Sequence, residues 1–168
     1  MSFRKLTFLP AETREQFEIR RIEPDFTGLW IDGICQMNDL PPEDELNRQF
    51  CEVAHGAVLI AGLGLGFVLT WILGKPEVQS VTVVEKHQAI IEMVGPHFQH
   101  PKLTIINADI FGWEPTPEQK FDTIWNDISL EVLDQLESIK EKQLTWLAPH
   151  GWFARWSLDG PIIHAGAT

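Results

Sequence analysis

The chain has 168 residues, enough for one domain with a substantial core and too few for two domains of ordinary size. Its net charge of −11, with no cluster of Lys or Arg, argues against a nucleic-acid partner, because binding a phosphate backbone needs a positive surface. No apolar stretch reaches the ~20 residues that span a membrane, and no secretory signal is apparent, so we expect a cytoplasmic protein whose Cys35 and Cys51 are reduced thiols.

The first 55 residues lack a regular alternation of strands and helices. Residues 17–22 and 29–35 are short extended runs separated by turn residues, and they predict a small β-hairpin. Asp32 is a residue type typical of the hairpin turn. A helix is predicted from Pro41 through Ala54, with acidic residues at its positively polarised start.

Beyond residue 55, apolar strand patterns alternate with helical patterns. After a first buried strand that ends at Ala61, further strands are predicted at 81–85, 103–106, 121–125 and 152–156, and helices at 67–73, 87–94 and 129–147. This alternation predicts an α/β fold with a doubly wound, mostly parallel, Rossmann-like sheet that is covered by helices on both faces.

We therefore expect a single domain over residues 1–168. Its parts are an N-terminal hairpin and helix at 1–55 and a Rossmann-like, cofactor-binding core at 56–168. The sequence stops soon after the fifth predicted strand of the core, so we expect a shortened C-terminus. A strand edge left exposed there favours a homodimer.

Residues 62–66 read Gly-Leu-Gly-Leu-Gly directly after a buried strand. Glycine tolerates positive φ and carries no Cβ, so such a turn lets the backbone approach a nucleotide-like ligand closely. A NAD fingerprint would place its third glycine one residue later, where this chain has Phe67. Glu85 ends the next strand about 20 residues on, where a carboxylate can accept hydrogen bonds from two ribose hydroxyls.

Polar residues follow the later strands as well: Asp109 after the third, and Asn126 and Asp127 after the fourth. Ligands of parallel sheets bind outside the carboxyl ends of the strands, so these residues and Glu85 are predicted to share one crevice. Each acid also has a structural interpretation. In this interpretation Glu85 complements a helix dipole, Asp109 caps the following turn and Asp127 caps the long helix.

Other candidate residues point to less specific roles. Trp113 and Trp125 flank the predicted crevice and are candidates for stacking on a planar or cationic substrate. No metal site is predicted, because the histidines and the second cysteine lack the close spacing of a ligand set.

The order of these motifs resembles that of the class I S-adenosylmethionine-dependent methyltransferases, and most closely their spermidine-synthase-like branch. The resemblance covers roughly residues 29–156. It is carried by the glycine turn, Val83-Val84-Glu85, Asn107-Ala108-Asp109 and the segment 121–127. Upstream, residues 29–36 (Leu-Trp-Ile-Asp-Gly-Ile-Cys-Gln) are similar to the Leu-x-x-Asp-Gly-x-x-Gln segment of spermidine synthases.

The resemblance implies S-adenosylmethionine as the cofactor and gives each matching residue a role. The cofactor-binding residues would be Gly62, Leu63, Gly64 and Gly66 beneath the methionine and ribose parts, Glu85 at the ribose hydroxyls, Asp109 at the adenine amino group, Ile110 and the Lys86 stem beside the adenine, Gln36 from the hairpin, and Asn126. Asp127 would orient or deprotonate the acceptor.

Three departures from spermidine synthases bear on the transferred group. Leu65 stands where those enzymes usually carry an aspartate, Asn126-Asp127-Ile128 carries a single acid in place of an Asp-rich loop, and the chain has no tyrosine. We therefore expect methyl transfer to a small, non-nucleic-acid acceptor. The alternatives are aminopropyl transfer from the decarboxylated cofactor, a non-catalytic protein that binds the cofactor as a sensor or assembly partner, and, last, a nicotinamide-binding module.

Overall fold

The structure is a computed structural model that describes residues 5–22, 26–128, 133–155 and 162–165. Its described strands are arranged in two sheets. None of the helices in these ranges is long and apolar enough to cross a membrane.

The N-terminal sheet is antiparallel and has four strands, where the sequence predicted one hairpin. The strands, in spatial order, are β1 (Glu12–Arg14), β2 (Phe17–Ile22), β3 (Phe26–Ile31) and β4 (Ile34–Asn38). The prediction of one strand over residues 29–35 is wrong, because Asp32 and Gly33 have φ of 49° and 78° and form a two-residue turn between β3 and β4. The turn position predicted for Asp32 is confirmed.

The second sheet has six strands and confirms the predicted doubly wound α/β fold. After α1 (Pro41–Val53), the elements are β5 (Gly56–Ala61), α2 (Leu69–Ile72), β6 (Val78–Glu85), α3 (Gln88–Val94), a 3₁₀ turn (Gly95–His97), β7 (Leu103–Asn107), β8 (Phe121–Asn126), α4 (Leu133–Leu144), β9 (Leu147–Arg155) and β10 (Ile162–Ala165). The sheet order is β7-β6-β5-β8-β9-β10. All neighbours are parallel except β9 and β10.

Two element boundaries differ from the predictions. The helix predicted over 67–73 is shortened to α2, because the chain leaves the glycine turn through tight i→i+3 hydrogen bonds such as Leu69 N–H to Gly66 O. The helix predicted to reach residue 147 ends at Leu144, and residues 129–132 of that prediction lie outside the described residues. Leu147 instead begins β9, because it pairs with Phe121.

The order of the strands determines where the site can lie. The chain adds β6 and β7 on one side of β5 and then crosses to add β8 on the other side, so the order in which strands are added reverses between β5 and β8. Ligands bind at the carboxyl side of such a reversal. Asp127 N–H donates to Ala61 O at 2.9 Å, and Gly62 N–H donates to Val84 O at 2.9 Å. The ends of β5, β6 and β8 therefore meet at one place.

Candidate functional site

The glycine turn after β5 packs directly against the end of β8. Gly62, Gly64 and Gly66 have φ of 97°, 49° and 70°, where glycine is favoured. A Cβ on Gly62 would lie 2.3 Å from the main-chain oxygen of Asp127. The turn therefore keeps its shape through contacts within the protein, in addition to any contact with a ligand.

Met37 is the residue that the N-terminal sheet brings to this turn. Its Sδ accepts a hydrogen bond from Leu65 N–H at 3.2 Å, and a Cβ on Gly64 would lie 2.4 Å from that sulfur. Gln36, predicted to reach the ligand, is exposed and lies at an irregularity in the pairing of β3 and β4. This β-bulge presents Met37 to the turn in place of Gln36, and strand patterning gave no signal for it.

Glu85 connects the turn to the start of α3. It is 5% exposed, and its Oε2 accepts from Leu63 N–H at 2.8 Å while Oε1 accepts from His87 N–H at 2.7 Å. Each carboxylate oxygen has a second lone pair. Glu85 can therefore hold both backbone segments and still accept a hydrogen bond from a ligand hydroxyl.

Asp109 and Lys86 form an ion pair beside this position, with Nζ and Oδ2 3.1 Å apart. Asp109 Oδ1 also accepts from Phe111 N–H at 3.1 Å, so the residue caps the following turn. Partial burial favours a higher pKa for Asp109, but the Phe111 N–H and the Lys86 ammonium outweigh it and hold the pKa below its usual value. Ile110 is buried in the core behind this turn.

Asn126 is directed away from the other predicted site residues. Its Nδ2 donates to Gln143 Oε1 at 2.6 Å, and its Oδ1 accepts from Gln143 Nε2 at 2.8 Å. Successive residues of a strand point to opposite faces, so Asn126 faces α4 while Trp125 faces α1. The structure thus gives the Asn126 amide a partner in the fold and does not bring it to the glycine turn.

Asp127 lies at the point where the strand order reverses, and the negative charges of other carboxylates lie near it. The residue is half-buried. Burial, followed by the nearby carboxylates of Glu43 and Glu85, raises the pKa of Asp127 to about 7. A carboxyl group with such a pKa can accept or release a proton near neutral pH. Within the described ranges, no three His, Cys, Asp or Glu side chains converge on a metal position.

The two tryptophans predicted to flank the crevice are used in packing. Trp125 is fully buried and stacks on Phe50 of α1, with ring centroids 4.9 Å apart and planes at 9°. Trp113 meets Trp146 edge to face at 5.6 Å. Both indoles therefore have aromatic partners within the protein.

Sequence reasoning missed Glu43, which was interpreted only as part of the acidic start of α1. Glu43 is half-buried, and its negative charge contributes, after burial, to the raised pKa of Asp127. A signal was available, because Glu43, Asn47 and Phe50 follow the i, i+4, i+7 spacing of one helix face.

No protein-family model matches this sequence, and no curated protein matches it. Among solved structures, the spermidine synthase of Thermotoga maritima has a TM-score of 0.66 at 21% identity, over 88% of this chain and 56% of that chain. The N-methyltransferase NodS of Bradyrhizobium japonicum WM9 has a TM-score of 0.56 at 20% identity, over 70% of this chain and 68% of that chain. This chain has the class I methyltransferase fold.

A further similar solved structure is DhpI in a complex with SAM and HEP. It has a TM-score of 0.56 at 22% identity, over 70% of this chain and 56% of DhpI. The present chain spans 56% of the length of the Thermotoga spermidine synthase. Similarity at this level of identity concerns the fold, so the reaction has to be argued from the site.

Proposed function

We propose that this chain binds S-adenosylmethionine at the carboxyl edge of its parallel sheet and transfers the methyl group to a small acceptor that is not a nucleic acid. One observation carries the proposal: the reversal between β5 and β8 joins the glycine turn, Glu85 and Asp127 in one contact network. The similarity to NodS and to the DhpI complex supports it. The proposal also includes a cytoplasmic location, assembly as a homodimer and the absence of a membrane partner.

The residues of the turn have the chemistry that this cofactor requires. Glu85 has acceptor capacity left for ribose hydroxyls, since each of its two carboxylate oxygens accepts one backbone hydrogen bond and has a second lone pair. The Asp109 side chain is 42% exposed and can accept from an adenine amino group. Lys86, which pairs with Asp109, and Ile110, which follows it in the chain, are proposed neighbours of the adenine ring. Gln36 and Asn126 remain weaker candidates.

When bound, S-adenosylmethionine supplies a methyl group on a sulfonium that is already activated for transfer. The chain has then to align the acceptor with this methyl group and to keep water away. Asp127 is the residue proposed to orient the methyl acceptor and to take a proton from it, because Asp127 lies beside Gly62 and its pKa is raised to about 7. At neutral pH a large fraction of its carboxylate is free to take a proton from the acceptor.

Calorimetric titration tests the cofactor part of this proposal. The purified chain is titrated with S-adenosylmethionine, S-adenosylhomocysteine, the decarboxylated cofactor and NAD, and the titrations are repeated on Glu85→Gln. We expect the first two to bind, and the variant to bind them about tenfold more weakly or worse, because a hydrogen bond to a charged group is lost. Glu77→Gln, an exposed acid, is the matched control. Binding of NAD alone, or of none, would contradict the proposal.

Aminopropyl transfer remains the second candidate because the Thermotoga spermidine synthase covers 88% of this chain. The fully buried Leu65 and the single acid at Asp127 count against it. Preferential binding of the decarboxylated cofactor would favour this candidate. Tight cofactor binding without turnover of any acceptor would favour the non-catalytic alternative.

A further inference from the structure

The turn that follows β7, residues 109–114, determines how Asp109 is held, and we call it the β7 turn. Phe111 N–H donates to Asp109 Oδ1 at 3.1 Å. The N–H groups of Gly112 and Trp113 donate to Asp109 O at 3.0 and 2.9 Å. Three backbone N–H groups of the turn thus bind this one residue, so the direction of its carboxylate depends on the shape of the turn.

Lys142 of α4 binds the opposite, acceptor side of the β7 turn. Its ammonium nitrogen lies 3.5 Å from Phe111 O and 3.2 Å from Trp113 O. It also lies 3.1 Å from Glu114 Oε1. A lysine ammonium group has three N–H donors, so this turn offers one acceptor for each of them. The nitrogen is also 5.5 Å from the centre of the Trp146 ring, within the range of a cation–π contact.

The neighbours of Lys142 are themselves fixed by packing. Gln143, the next residue, is fully buried and exchanges two hydrogen bonds with the Asn126 amide of β8. Trp146 is buried as well, and its ring meets that of Trp113 edge to face at 5.6 Å. These contacts fix the end of α4 against the sheet, so the Lys142 ammonium group can restrain the β7 turn.

The direction of the Asp109 carboxylate affects which base the site accepts. The amino group of adenine is a donor, whereas hypoxanthine carries an acceptor oxygen at the same position, and a carboxylate can only accept. Hydrogen bonds weaken steeply as their angle becomes poor. A β7 turn that let the carboxylate change direction would therefore reduce the discrimination between these two bases.

We propose that Lys142 is a positioning residue of the cofactor site and sets the preference for adenine by restraining the β7 turn and, with it, Asp109. This inference rests on the proposed function, in which Asp109 accepts from the adenine amino group. Lys142 acts through the turn and not by touching the base. A lysine that only stabilised the fold would change the binding of both bases by the same factor, so the ratio of the two affinities separates these roles.

The test measures this ratio by calorimetric titration with S-adenosylhomocysteine and S-inosylhomocysteine. We expect the unaltered chain to bind the adenine compound at least about tenfold more tightly, because only its complex contains the hydrogen bond to the charged carboxylate. Lys142→Met removes the donors and keeps an unbranched side chain, and it should lower the ratio at least about threefold. Lys142→Arg keeps the charge and the N–H donors and should retain most of the ratio.

Lys120→Met is the matched control. The Lys120 ammonium group also donates to a backbone carbonyl, Thr145 O at 2.7 Å, but it makes this contact outside the β7 turn. The variant loses the same charge and the same kind of contact as Lys142→Met. It should leave the ratio of the two affinities unchanged.

Hydrogen exchange of the Phe111 and Trp113 amides, followed by NMR, reports on the β7 turn without any ligand. We expect faster exchange in Lys142→Met and not in Lys120→Met. Faster exchange with an unchanged ratio would show that Lys142 only stabilises the turn. A lower ratio without faster exchange would show that it does not act through the turn. Either result would overturn the inference.

The titrations also separate this inference from the proposed function. If the unaltered chain does not bind S-adenosylhomocysteine, the proposed function and the inference fall together. If it binds that compound, the proposed cofactor site stands. The inference alone is then overturned by equal binding of the two compounds, by an unchanged ratio in Lys142→Met, or by an equal fall of the ratio in Lys120→Met.

Discussion

Asp127 is a candidate site residue, and the ionisation of its carboxyl group lowers the stability of the folded chain. Burial and the carboxylates of Glu43 and Glu85 raise its pKa to about 7. The folded chain therefore binds more protons than the unfolded chain between about pH 4 and pH 7, and its stability falls as the pH rises through that range. Asp127→Asn removes the charge with little change of shape. We expect it to raise the free energy of unfolding at pH 8 by about 2 to 4 kcal/mol.

Urea denaturation at several pH values measures this effect. The gain from Asp127→Asn should shrink as the pH falls towards 4, where the native carboxyl group is protonated as well. Glu118→Gln removes an exposed acid and should change stability by less than about 0.5 kcal/mol at either end of the range. A gain that does not vary with pH would show that packing, and not ionisation, explains it. A stabilised variant with lost turnover would place Asp127 among sites that trade stability for activity.

At the scale of elements, the amide pair of Asn126 and Gln143 fixes α4 against β8. Both side chains are buried, and they exchange two hydrogen bonds. Replacing either residue by Ala leaves the other amide buried without a partner, so each variant should lose about 1 to 3 kcal/mol of stability. The double variant should lose less than the sum of the two, because the second substitution removes the orphaned group.

Urea denaturation of the two single variants and the double variant measures these losses of stability and completes a double-mutant cycle. Gln88→Ala, which removes an exposed amide paired with Glu92, is the control and should cost less than about 0.5 kcal/mol. The same proteins test the predicted cofactor role of Asn126. Loss of S-adenosylhomocysteine affinity in Asn126→Ala, but not in Gln143→Ala, would support that role. Additive losses of stability would contradict the pairing.

The sequence predicted those elements whose signals are local. The strands that lead to Glu85 and Asp127 are apolar runs ending in an acid, and their order alone implies that these ends converge. The contact of Met37 with the glycine turn depends on a β-bulge, and the end of α4 depends on the pairing of Leu147 with Phe121 across the sheet. Such contacts join residues distant in sequence, so no local pattern contains them.

At the scale of the whole molecule, the N-terminal sheet forms part of the main core. Phe17, Ile19 and Leu29 of this sheet are buried in the same cluster as Val58 and Ile60 of β5. The ion pair of Arg14 with Glu92 also joins the two parts, but its side chains are more than 40% exposed and it adds little. Apolar packing therefore holds the N-terminal sheet over the glycine turn, and Met37 lies at this contact.

This arrangement predicts energetic coupling between Gly64 and Met37. Gly64→Ala places a side chain at φ 49° with its Cβ 2.4 Å from Met37 Sδ, so we expect a loss of about 1 to 3 kcal/mol. Met37→Ala removes the clashing sulfur, and the double variant should therefore lose about 1 kcal/mol less than the sum of the single losses. Gly33→Ala is the control, because its φ is 78° and no atom lies within 4 Å of the added Cβ. The stability losses of Gly33→Ala and Met37→Ala should add. If the losses of Gly64→Ala and Met37→Ala also add, the N-terminal sheet does not hold the turn in place.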